Sequence, residues 1–260
     1  MEIALEIVPR SPENLLLGAQ EAAAFSSITI VNIPDLLRFP IRSWEACALL
    51  SKEGPETLSY IPHLRAIDFD LHKPFPHTEL FISHGIQKVL VVAGDPPQDM
   101  RRRVYPTGTV EFIKKLKDEI PHLRVYGAFD PYRSNIRYEL DYLKAKSDAG
   151  ADGFMSQPFF DLRLLEIYAE YLEGRTVFWG LSPVVSESSR NYWEARNRAI
   201  FPKQFRADLG WNVDFGRRVL SFCGTHNFNL YLMPIKIDVH PYLRALFSGG
   251  PSMQTKEFPV

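Results

Sequence analysis

Eight short apolar runs, rich in β-branched and aromatic residues, recur along the chain, and each is followed by a stretch with helical periodicity. Strands alternating with helices at this spacing are the mark of βαβ units, and so of a parallel sheet. The runs are 3–8, 27–33, 58–64, 88–93, 123–129, 153–160, 177–184 and 230–235. Between and after them, helical periodicity predicts helices over 13–25, 43–51, 78–83, 109–120, 136–149, 162–172, 187–198, 214–223 and 242–247. Eight such repeats without an obvious linker predict one closed (β/α)8 TIM barrel over residues 1–248, with a C-terminal tail at 249–260 that begins Gly-Gly-Pro.

The competing open, doubly wound sheet favours a G-x-G-x-x-G turn after an early strand, and the chain contains none. The P-loop, the G-x-S-x-G elbow and the H-E-x-x-H zinc helix are missing too, so nucleotide hydrolase, esterase and metalloprotease chemistries lose their usual anchors. With 30 basic and 31 acidic residues the formal net charge is −1, which supplies no global field for nucleic acid or an anionic membrane. The two cysteines, Cys47 and Cys223, are far apart and suit neither a disulfide framework nor a paired-cysteine metal site, so a reducing, cytoplasmic setting and no metal are expected. No apolar run reaches the ~20 residues a membrane span needs, and no signal-peptide pattern opens the chain.

In a barrel of this kind catalytic groups sit where strands end, so polar residues late in apolar strands are the first candidates. Four qualify: Glu6 in Ala-Leu-Glu-Ile-Val-Pro, His63 after Tyr-Ile-Pro, Asp95 after Val-Val-Ala-Gly, and Gln157 in Phe-Met-Ser-Gln-Pro. Taken singly, each has an ordinary structural reading: an ion-paired acid, a packing histidine, a turn aspartate, a satisfied core amide. All four fall at equivalent ends of different strands, which four independent accidents would rarely produce. A carboxyl buried there holds its proton to higher pH, as a general acid requires.

These residues carry a resemblance. Leu5-Glu6-Ile7-Val8-Pro9, Pro62-His63-Leu64, Gly94-Asp95-Pro96-Pro97, the run from Glu139 to Ala151 continuing to Gln157-Pro158-Phe159-Phe160-Asp161, and Gly180-Leu181-Ser182-Pro183-Val184 resemble, in order, motifs of the methylenetetrahydrofolate reductase family. The resemblance implies a barrel that holds FAD and reduces 5,10-methylenetetrahydrofolate with NADH or NADPH as donor. It implies Glu6, Asp95 and Gln157 as catalytic residues, with Glu6 opening the folate's imidazolidine ring, Asp95 favouring the resulting cation and Gln157 binding substrate alongside Glu6. It further implies that His63, Gly94, Asp95, Tyr105, Glu139 and Lys146 hold the flavin, Glu139 on a ribose hydroxyl and Lys146 on phosphate. Relatives of this kind are often oligomeric, so self-association is expected.

Two departures bear on the flavin. Ala93 stands where the family commonly has arginine, and Val31 where it has a hydroxyl residue late in the second strand. Arg101, Arg102 and Arg103 could restore the lost charge. The flavin-dependent reductase remains the leading expectation, and these departures point to its alternative, a divergent member without FAD that passes hydride directly from NADH to the folate. A catalytically silent folate-binding or partner subunit has little need of the acid at position 6. An aldolase wants a Schiff-base lysine in an apolar strand, and the predicted strands offer only Lys88 and Lys236, both at edges.

Overall fold

The computed structural model describes residues 1–96, 102–235 and 237–248; the expected tail lies outside them. Eight parallel strands pair in chain order and close, β1 (Ile3–Glu6) meeting β8 (Asn229–Leu232). Between these two lie β2 (Ile30–Ile33), β3 (Ser59–Arg65), β4 (Lys88–Val92), β5 (Arg124–Phe129), β6 (Gly153–Pro158) and β7 (Val177–Leu181). The helices are α1 (Pro12–Ala23), α2 (Ser43–Glu53), α3 (Thr78–Ser83), α4 (Thr109–Glu119), α5 (Ile136–Asp148), α6 (Leu162–Tyr171), α7 (Glu187–Asn197), α8 (Leu209–Thr225) and α9 (Val239–Phe247). Both α7 and α8 lie between β7 and β8, where two helices are expected, so the observed barrel is the expected one and this crossover carries one helix more than the simple repeat. No helix among the described residues is long and apolar enough to cross a membrane.

Side chains alternate across a strand, and here the alternation separates two cores. Ala4, Ile30, Ile61, Leu90, Tyr126, Met155, Phe178, Tyr231 and Met233 form a cluster that fills the barrel. Their strand neighbours Leu5, Val31, Leu64, Val91, Val125, Phe154, Trp179 and Leu230 belong to the larger core between strands and helices. A residue two positions beyond a barrel-filling one therefore points into the barrel mouth. By that parity Glu6, Asn32 and His63 face inward, whereas Val31 is buried against the helices.

Helix ends follow their caps. Ser11, Asn135, Asp161, Ser186 and Asp208 each accept a hydrogen bond from a backbone N–H of the first turn. The Asp208 cap explains why α8 begins at Leu209 rather than at the expected position 214, because it carries the helix through Gly210. Likewise Asp238 starts α9 at Val239, three residues ahead of the expectation, with Pro241 tolerated in the first turn. Those extra turns matter for the site: from α8, the Asn212 side chain bonds both the N–H and the C=O of Val184 at 2.9 and 2.8 Å, anchoring the loop after β7.

A register shift between β6 and β7 separates the Met155–Phe178 and Pro158–Gly180 pairs, leaving Ser156 and Gln157 in a β-bulge. Ser156 Oγ accepts the Gly180 N–H at 2.7 Å. A Cβ at Gly180 would lie 2.5 and 2.6 Å from the carbonyl oxygens of Ser156 and Gln157 and 2.7 Å from Met233 Cε. Gly180→Ala is therefore expected to destabilise by about 1–3 kcal/mol through overpacking, and to lower turnover because the bulge carrying Gln157 must shift. Thermal unfolding together with steady-state kinetics checks this; an unchanged Tm would show that the bulge yields freely.

Candidate active site

The C-terminal mouth of the barrel holds a connected set of polar groups. Glu6, at the end of β1, is half-buried, and its Oε2 accepts a short hydrogen bond from the Tyr231 hydroxyl. That hydroxyl also lies 3.4 Å from His63 Nε2. Three strands distant in sequence, β1, β3 and β8, thus meet at one phenolic oxygen. Beneath them Asn32 Nδ2 reaches Met155 Sδ at 3.1 Å, joining β2 to β6 across the interior and forming a floor. The Asn32 Oδ1 is buried and has no partner among the described residues, an acceptor left to a water or a ligand N–H.

Electrostatics divides the labour. Burial raises the Glu6 carboxyl to about 7, with the Tyr231 hydrogen bond pulling the other way. Glu6 consequently exchanges a proton near neutral pH. Burial lowers His63 to about 4, opposed by the charge of Asp35, so the imidazole is neutral at pH 7. A neutral imidazole leaves a ring nitrogen free to accept, and His63 acts here as a hydrogen-bonding partner rather than a cation.

Around the mouth runs a chain of ion pairs that fixes the strand ends. Arg42 bonds Asp35 through Nε at 2.9 Å and through Nη2 at 2.5 Å, and bonds Asp68 at 2.6 Å. Burial works against the Arg42 charge, but the two carboxylates outweigh it and its pKa is raised. Ser43, next to Arg42, donates its hydroxyl to the His63 carbonyl at 2.5 Å. Farther round, Arg65 lies 3.8 Å from Asp68 and donates to the Asp95 carbonyl. Its Nε sits 2.9 Å from where a Cβ of Gly94 would be, and Gly94 has φ +85°, so glycine serves both the turn and the close approach.

The structure brings Glu6 and His63 together and puts Gln157 at the same end, half-buried in its bulge. Asp95 stands exposed on the rim, tied by its backbone to Arg65. Tyr105 is half-buried beside the β3 loop, its N–H on Ile67 O at 2.8 Å and the Arg103 guanidinium 5.1 Å from its ring centre. Pro97 and Arg101 lie outside the described residues; Arg102 is exposed. Three residues went unnoticed in the sequence: Asn32, Arg65 and Tyr231. Strand parity would have found them, since each lies an even number of residues from a barrel-filling position or occupies one. The polar residue at the mouth end of β2 is Asn32, not the helix-facing Val31.

Glu139 and Lys146 lie elsewhere, in the wall between α5 and β5, with only 1% and 2% of their surface exposed. The Lys146 side chain runs past Gly127, where a Cβ would be 3.1 Å from its Cδ, and its ammonium donates to Ala128 O at 2.5 Å. It also packs 4.1 Å from the Tyr142 ring centre. Burial lowers its pKa to about 8, with Glu139 opposing and Arg133 assisting. Glu139 Oε1 accepts the Asp130 N–H at 3.2 Å and its Oε2 is buried without a partner among the described residues. As placed, both side chains are spent on the wall, Lys146 on a strand carbonyl and Glu139 on a backbone N–H, rather than open toward a dinucleotide. What the mouth offers a ligand is the open Asn32 Oδ1 acceptor and the Glu6 carboxyl.

At the opposite face a hollow of about 700 Å³ opens between Glu2, Arg124, Asp152 and Arg175. It lies at the strand N-termini, where polar side chains pair with one another, Lys88 with Glu2 at 3.3 Å and Lys117 with Asp152 at 3.0 Å. That end of a TIM barrel serves stability rather than chemistry. Lys88 belongs to it, which removes it as a Schiff-base candidate; Lys236 lies outside the described residues.

Known proteins resemble this chain in sequence and in fold. The 5,10-methylenetetrahydrofolate reductase of Buchnera aphidicola from Schizaphis graminum is 28% identical over 102 residues, 39% of this chain and 35% of the relative. That of Escherichia coli K12 is 28% identical over 106 residues, 40% of this chain and 36% of the relative. The matched segments thus span little more than a third of those relatives. Among solved structures, a Clostridium thermocellum protein described as binding two copies of 5-methyl-5,6,7,8-tetrahydrofolic acid superposes with a TM-score of 0.61 at 12% identity, covering 94% of this chain and 91% of that one. At that identity the likeness shows the fold alone. Residues 42–187, more than half of the chain, match the family model described as methylenetetrahydrofolate reductase, and the chain belongs to that family.

Proposed function

We propose that the barrel mouth reduces 5,10-methylenetetrahydrofolate to 5-methyltetrahydrofolate, with Glu6 as the acid. The observation that carries this reading is a carboxyl at the end of β1 that accepts from the Tyr231 hydroxyl beside a neutral His63, its titration raised to about 7 by burial. Protonation by Glu6 of the bridging nitrogen distal to the pterin ring breaks that C–N bond and leaves an iminium cation. Hydride addition to the iminium carbon then gives the methyl group, so one proton and one hydride are consumed per turnover. Gln157, half-buried at the same end, hydrogen-bonds the pterin in this reading, and the rim carboxylate of Asp95 favours the cation.

Hydride arrives from NADH or NADPH, by way of a bound FAD or directly. The burial of Glu139 and Lys146 supports direct transfer, since two of the six groups expected to hold the flavin are engaged in the wall. Purified protein is then expected to be colourless, and deuteride from the 4-position of reduced nicotinamide is expected in the product methyl group, read by mass spectrometry. A yellow protein whose product carries no deuterium, the label having exchanged with solvent on the flavin, would restore the flavin route. Failure to form 5-methyltetrahydrofolate with either nicotinamide, with or without added FAD, would overturn the reductase reading itself.

A further inference from the structure

Tyr231 belongs to the last strand, in the part of the chain where no family motif was legible, yet it is the hub of the mouth. Its ring fills the barrel beside Ala4 and Ile30, and 3% of its surface is exposed. Its hydroxyl donates to Glu6, lies 3.4 Å from His63 Nε2, and is within hydrogen-bonding reach of the Asn32 amide. We propose that Tyr231 is the positioning residue for the Glu6 acid, gripping one carboxyl oxygen so that the other faces the folate nitrogen, and tying the carboxyl to His63. The proposal rests on the reductase reading for its substrate, but the grip on Glu6 can be measured without it.

The physical case runs from hydrogen-bond inventory. A carboxyl with a single grip keeps one oxygen free for proton transfer, and a phenol is a donor that stays protonated throughout; burial and the neighbouring Glu6 hold Tyr231 well above its usual range. Facing Glu6 are the Tyr231 hydroxyl from β8, the neutral His63 imidazole from β3 and the uncharged Asn32 amide from β2. Arg65, Asp35 and Asp95 belong to the rim, and no described hydrogen bond or ion pair joins them to Glu6. The phenol is thus the group that stabilises the Glu6 anion against burial, and it sets how far the carboxyl's titration rises. When Glu6 is protonated the phenol can turn to His63 Nε2, so the hydroxyl is never left without an acceptor.

Two substitutions at one position push the carboxyl in opposite directions. Tyr231→Phe removes the grip and keeps the ring, so the pH at which turnover falls is expected to move up by roughly one unit, the order for a lost hydrogen bond to a charged group, with several-fold slower turnover below it. Site-specific 3-fluorotyrosine at position 231, a stronger donor of nearly the same shape, is expected to move it down. Independently of activity, the infrared band of the protonated carboxyl, assigned by its loss in Glu6→Gln, should titrate with the same two shifts. Slower turnover with an unmoved pH profile and an unmoved carboxyl band would overturn the proposal and leave Tyr231 a packing residue. If the wild type reduces no folate while the band still shifts both ways, the grip stands and the substrate reading falls.

Discussion

Replacing Glu6 by glutamine is expected to slow folate reduction by roughly 10²–10⁴-fold, the usual share of a positioned general acid. The carboxamide is isosteric and still accepts from Tyr231, so the loss reports the missing proton rather than a collapsed site. The variant should bind reduced nicotinamide as the wild type does. The pH profiles should differ in a defined way. Burial places the wild-type carboxyl at about 7, so its acid form is present below that pH and turnover declines as pH rises through it. In the glutamine variant the residual rate should lose that limb. Stability follows the same linkage: between the ordinary value of 4.5 and about 7 the folded protein binds the proton that the unfolded chain has released, so wild-type stability falls with rising pH there and that of Glu6→Gln does not. A wild-type profile flat from pH 5 to 9 would remove Glu6 from the acid role.

The largest expected effect on stability lies at the rim. The Asp35 side chain is 0% exposed and Arg42 is its charged partner, bound through two nitrogens. Arg42→Ala strands that carboxylate with the Ser43 N–H at 3.2 Å, and removing one member of a buried pair costs about 3–5 kcal/mol. For a chain of this size that corresponds to a Tm lower by roughly 6–20 °C. Activity should suffer as well, because Ser43 follows Arg42 directly and its hydroxyl holds the His63 carbonyl. Arg163→Ala is the control: its pair with Asp161 is 77% exposed on the arginine side, and such surface pairs contribute about 0–1 kcal/mol. Calorimetry of the two variants side by side should separate them clearly; equal melting temperatures would show that the Asp35 carboxylate finds other solvation.

The barrel was legible because each strand is a short apolar run bounded by turn residues, and the period-2 and period-3.6 patterns rarely overlap. Helix starts were less so. Gly210 and Pro241 argue against helix locally, and only the capping carboxylates of Asp208 and Asp238 override them. In the site, Glu6, His63 and Gln157 could be found as polar intrusions late in apolar strands. Asn32 and Arg65 carry the same signal, but recognising it requires knowing which parity faces inward, and that emerges only when the barrel closes. Tyr231 is harder still, since a tyrosine between two leucines is indistinguishable from core until Glu6 is seen across from it. For Glu139 and Lys146 the sequence offered a resemblance without a direction. Gly127 opens a channel along the outer face of β5, and Lys146 follows it into the wall.

Everything argued for catalysis depends on the pterin lying in the mouth above the Asn32–Met155 floor. A crystal structure of the protein soaked with 5-methyltetrahydrofolate tests that most directly. The expected result is a pterin ring with Glu6 facing the nitrogen that the ring opening frees and the Gln157 carboxamide on the ring edge. A pterin bound at the N-terminal face, in the hollow beside Glu2 and Arg175, with the mouth unchanged, would contradict it.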